Sequence, residues 1–71
     1  MRIDVTPAGV IQADGQQIGQ VSATHGDERG PWMAVVGSPR RYCYAENPAR
    51  AASGAARQLA AFWRSFLKAA A

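Results

Sequence analysis

Histidine, cysteine and carboxylates are where chemistry would begin in this chain, and they are few: His25, Cys43, Asp4, Asp14, Asp27, Glu28 and Glu46. Nucleophilic catalysis needs a nucleophile, a base and an orienting group that converge. The single histidine sits in a polar, glycine-flanked loop, and Cys43 alternates with Tyr42 and Tyr44, where a small packed thiol is the expected role. His25, Asp27 and Glu28 share that one loop with no distant ligand to complete a fixed polyhedron, so no metal site is expected, zinc included. The glycines fall at turn positions and not between a strand and a helix, so no phosphate loop is expected either. The expectation is a non-enzymatic chain with no catalytic residue and no cofactor.

The chemistry that remains is that of binding. Residues 1–47 hold four arginines against five acids, whereas residues 48–71 hold Arg50, Arg57, Arg64 and Lys68 with no acid. Their spacings of seven, seven and four keep them on one side of a helix, where they could follow a phosphate backbone or an acidic protein surface. A purely solubilising face is the ordinary role of such a stripe. A second candidate is Arg40, Arg41, Tyr42 and Tyr44, because tyrosines beside arginines on an open sheet face can stack on bases or dock into a protein groove. A third is Phe62, Trp63, Phe66 and Leu67, bulk that a sheet of short strands need not cover and that a homodimer or a partner protein could.

These residues need elements to position them. Ile3 and Val5 alternate with Arg2 and Asp4 as a short strand, and Thr6-Pro7-Ala8-Gly9 suits a type I turn. Val10 to Ala13 follows, and Asp14-Gly15 accepts positive φ at both centres of a type I′ turn, the strongest local signal in the chain. The returning strand, Gln16 to about Thr24, changes inward face between Ile18 and Val21, so a bulge is expected at Gly19. His25 to Pro31 reads as a loop, Trp32 to Val36 as a buried strand, Gly37-Ser38-Pro39-Arg40 as a turn, and Arg41 to Ala45 as a strand with both tyrosines on one face. Alternation alone does not say which face is covered. Asn47-Pro48 starts a helix, since the Asn side chain can accept an orphan amide hydrogen bond and proline has no amide to leave unpaired. Its expected apolar stripe is Ala49, Ala52, Ala56, Leu59, Ala60, Trp63, Phe66 and Leu67, flanked by Ala55 and Phe62. Gly54 falls on the outer side of that wheel, with no role evident there.

The expected fold is therefore α+β and a single domain, 1–71: a small antiparallel sheet of four to five hairpin-rich strands over 1–45, then one amphipathic helix over 47–69 packed on one sheet face. At this size about 60% of the unfolded chain's surface is buried, so stability is marginal. One cysteine excludes an internal disulfide, and no signal peptide or membrane span is readable, which together suggest a cytoplasmic protein.

The segment from Trp32 to Phe66, about half the chain, resembles the N-terminal DNA-binding domain of tyrosine integrases. The likeness is carried by Trp32, Ala34 and Val36, the Arg40-Arg41 pair after a turn, and the alanine-rich helix from Pro48. It implies a shared sheet-then-helix architecture; the extra N-terminal hairpin and the end of the chain at the helix depart from it. In size and character the chain is also similar to small phage or mobile-element proteins, anti-CRISPR inhibitors among them. The leading expectation is a small protein that binds a macromolecular partner, most often another protein, and blocks or modulates it. The alternative is direct, weakly specific DNA or RNA binding through the basic helix face or the tyrosine and arginine sheet face, in line with a sequence pI near 9.8. A helix lying on a membrane would have to leave its sheet, so no membrane partner is expected.

Overall fold

The computed structural model describes residues 2–24 and 31–70; His25, Asp27 and Glu28 lie outside the described residues. Five strands, β1 (Ile3–Val5), β2 (Val10–Ala13), β3 (Gln16–Ala23), β4 (Trp32–Val36) and β5 (Arg41–Ala45), form one antiparallel sheet in the order β1-β2-β3-β4-β5. The helix α1 (Pro48–Ala70) follows and packs across β4 and β5, reaching β1 and β3.

Local chemistry explains the joints. The Gly9 amide donates to the Thr6 carbonyl at 2.9 Å, and Gly9 takes φ 85°, so a type I turn ends in a left-handed residue that returns the chain into β2. Asp14 and Gly15 have φ of 50° and 84°, as the type I′ turn requires. The Arg50 amide donates to Asn47 Oδ1 at 2.9 Å, capping α1. In the β2–β3 pair, Ile11 faces Gly19 and Gln12 faces Gln17, so the extra residue is Ile18, one position before the expected bulge. Gly19 is needed for a different reason: a Cβ there would overlap the Val35 carbonyl oxygen of β4.

Helix and sheet meet through small side chains. Ile11, Val21, Ala34 and Val36 from the sheet and Ala51, Ala52, Ala55 and Ala56 from α1 are buried. Trp32, Met33 and Val35 are only half-buried, so β4 is not buried throughout as expected. The helix is also turned from the expected orientation. Ala49 is exposed and Ala51 is buried, a rotation of roughly 50° toward β5. That rotation corrects the reading of Gly54, which lies against the sheet: a Cβ on it would overlap Cys43 Sγ and lie 3.2 Å from Cys43 Cβ. Absence of a side chain at Gly54 lets α1 settle onto β5.

Lengths decide what stays uncovered. At 1.5 Å per residue the 23 residues of α1 run about 34 Å, while the five residues of β5 reach only about 17 Å. The C-terminal part of α1 therefore overhangs the end of the sheet that carries the β2–β3 and β4–β5 turns, and the molecule measures 45 × 21 × 15 Å.

Candidate binding surfaces

Three surfaces emerge, and the fold separates them. The first is the back of α1. Arg50, Arg57, Arg64 and Lys68 are all exposed, centred opposite the alanines that meet the sheet, and among the described residues none is in an ion pair; the ion pair found there is Arg2–Asp4 at 3.2 Å. Arg50, Ser53 and Arg57 line a shallow, open depression on this side, with the backbone of Gly54 at its edge toward β5.

The second surface is the uncovered face of the sheet. The helix covers the Cys43 and Ala45 side, so Tyr42 and Tyr44 point away from it, 46% and 61% exposed. Register puts Val35 beside Tyr42 and Gln20 beside Val35, and puts Met33 between Ser22 and Tyr44. This face is aromatic, aliphatic and uncharged polar at its centre. Arg41 does not belong to it. Alternation turns Arg41 to the helix side, where its guanidinium lies 5.0 Å from the Phe62 ring centroid and Nη1 donates to the Arg40 carbonyl at 3.0 Å. Arg40, exposed in the β4–β5 turn, stays free of that stack.

The third surface is the underside of the overhang. Phe62 is half-buried, but Trp63, Phe66 and Leu67 are 42%, 51% and 62% exposed, on a continuation of the same helix face that buries alanines further back. The three rings brace one another: Phe62 meets Trp63 edge to face at 5.5 Å, Trp63 meets Phe66 at 5.4 Å, and Phe62 stacks on Phe66 at 6.2 Å. Trp63 Nε1 also donates to the Ser38 carbonyl at 3.1 Å, which ties the root of the overhang to the β4–β5 turn. Beside it lies a niche of about 130 Å³ lined by Ala13, Ile18, Ala56, Leu59, Ala60 and Trp63. Apolar shelf and apolar niche together form one ledge.

Two residues that pattern reading passed over shape these surfaces. Gln58 Nε2 donates to the Tyr42 carbonyl at 2.8 Å and so occupies an acceptor on the edge of β5. Ser38 acts through its backbone carbonyl, which no side-chain motif signals. Among the described residues no three of His, Cys, Asp and Glu come together to hold a metal ion, and no helix is long and apolar enough to cross a membrane. No family model, curated protein or solved structure matches the chain.

Proposed function

We propose that this chain is a small, non-catalytic cytoplasmic protein that binds another protein through the ledge of Phe62, Trp63, Phe66 and Leu67 and thereby blocks or modulates it. The supporting observation is that the apolar stripe of α1 outruns its own sheet, leaving three large side chains about half exposed on a pre-braced surface. Clustered, rigid aromatic anchors next to a small apolar niche are what energetically dominant interface residues look like. Such a cluster on a marginal domain carries a solubility cost that a bound partner removes. Nucleic acid fits this molecule less well, because the cationic stripe and the tyrosines lie on opposite sides and one strand cannot lie along both.

Affinity capture with the immobilised full chain tests this reading. The expected result is a stoichiometric host protein retained by the wild type and lost by the Phe66→Ala/Leu67→Ala variant, with circular dichroism showing both folded. Equal capture by the two proteins would overturn it.

A further inference from the structure

We infer that the occupant of the ledge is an acidic amphipathic helix of a partner protein, an inference that rests on the protein-binding reading above and names its partner chemistry. Three observations select it.

Charge is the first. At this end of the molecule stand Arg40 and Arg41, on the ledge side in the β4–β5 turn and at the start of β5, and, on the far side of the same helix, Arg64 and Lys68. Against these four cations the described residues offer Asp14, whose Oδ1 accepts from the Arg2 amide at 2.8 Å, and the Arg2–Asp4 pair, which neutralises itself. A partner with carboxylates flanking its apolar anchors meets this field favourably, and one with lysines meets repulsion.

Area is the second. Trp63, Phe66 and Leu67 each leave on the order of 100 Å² in solvent, roughly 300 Å² together. Any occupant of these three side chains alone, a second copy or a helix, would bury roughly 600 Å² in total, the size of a weak, transient contact and not of a stable dimer. Two copies would also bring Arg40 and Arg41 of each toward those of the other. Two turns of a helix cover a surface of this size, and because a second copy duplicates the local cations while a carboxylate-bearing helix neutralises them, the second copy is the poorer occupant.

Backbone accessibility is the third. An extended segment gains affinity by adding to a sheet edge. On β5 one edge acceptor, the Tyr42 carbonyl, is already taken by Gln58, and β1 is only three residues long, so neither edge is a full-length open template. The ledge itself presents side chains and no sheet edge, and side-chain packing is how a helix docks, with anchors at i, i+3 or i+4, and i+7. One anchor would enter the niche beside Trp63.

Two fluorescein-labelled synthetic peptides test the inference by anisotropy with the full-length chain. Both carry leucine and phenylalanine at helical spacing; one has glutamate at the remaining positions and its twin has lysine. The glutamate peptide should bind at least about tenfold more tightly than the twin, lose at least about tenfold in affinity between about 50 and about 300 mM salt, and lose a similar factor on Leu67→Glu. Arg40→Glu/Arg64→Glu should shrink the preference between the peptides. Equal binding of both peptides, abolished by Leu67→Glu, would overturn the acidic partner and leave the protein-binding reading standing. Binding of neither peptide would also overturn it, while the protein-binding reading falls only with the capture experiment above. Self-association in sedimentation, or tight capture of a single-stranded oligonucleotide, would reassign the ledge to a second copy or to nucleic acid if Leu67→Glu abolished it.

Discussion

Replacing Gly54 with alanine sets helix propensity directly against packing. At a solvent-facing position in a helix interior, Gly→Ala stabilises by about 1 kcal/mol. Here the new Cβ would overlap Cys43 Sγ and approach Cys43 Cβ to 3.2 Å, so α1 must lift from β5 or the thiol must turn into occupied space. Forcing an extra carbon into a packed site costs about 1–3 kcal/mol, at the upper end where the obstacle is a short side chain with one rotatable bond. Net destabilisation of about 1–2 kcal/mol is expected. In a domain of this size that lowers the melting temperature by roughly 5–15 °C. Cys43→Ala alone should cost about 1 kcal/mol through lost contacts, yet in the Gly54→Ala background it removes the Sγ overlap, leaving only the 3.2 Å approach to the residue 43 Cβ, and restores most of the propensity gain. The double variant should therefore be at least as stable as Cys43→Ala, giving a coupling energy of about 2 kcal/mol. Urea unfolding followed by far-ultraviolet circular dichroism, at unchanged m-value, reads all four corners of the cycle. Stabilisation by Gly54→Ala, or additivity within about 0.5 kcal/mol, would refute the close approach of α1 to β5.

Asn47→Ala should cost about 1 kcal/mol by removing the cap on the Arg50 amide, and Asn47→Asp should restore most of it in the same denaturation assay. Gly19→Ala should cost at least about 3 kcal/mol, because the obstacle is the backbone of β4, and on a marginal domain a largely unfolded circular dichroism spectrum is the expected readout. Trp63→Phe removes the indole donor to the Ser38 carbonyl; a loss of about 0.5–1.5 kcal/mol in urea, with faster amide exchange beyond residue 62, checks that this bond pins the overhang.

What could be read in advance is what local chemistry decides. Asp14-Gly15 and Asn47-Pro48 specify a turn and a helix start through their own backbone preferences, and all five strands fall where alternation and turn residues put them. The covered face of β5 was beyond reach, because alternation between Tyr42 and Cys43 is symmetric until something packs on one side. Helix rotation failed for a related reason. Alanines sit on so many sides of the first half of α1 that Trp63, Phe66 and Leu67 dominate the wheel, and those are residues the sheet does not cover. Gly54 is explained only by a thiol eleven residues earlier in the chain, a proximity no periodicity encodes. At the ledge, the residue types were legible and its walls were not, since Ala13 and Ile18 come from the far hairpin and Ser38 contributes a carbonyl.

The overhang raises a physical question about free energy in so small a domain. Fully burying a phenylalanine or leucine is worth about 1.5–3 kcal/mol, and this chain leaves roughly half of three such groups outside its own fold. An unsupported helical end of two turns would fray, and a partner would then have to order it on binding, at a cost of roughly 1–2 kcal/mol per backbone residue fixed. Three internal contacts oppose that fraying: the Trp63 indole on Ser38, the Arg41 guanidinium on Phe62, and the stack of Phe62 on Phe66. None of them uses the exposed edges of Phe66 and Leu67. Two long-range contacts and one within the helix thus hold this surface in place, and under the protein-binding proposal a partner would meet anchors whose ordering cost has already been met during folding.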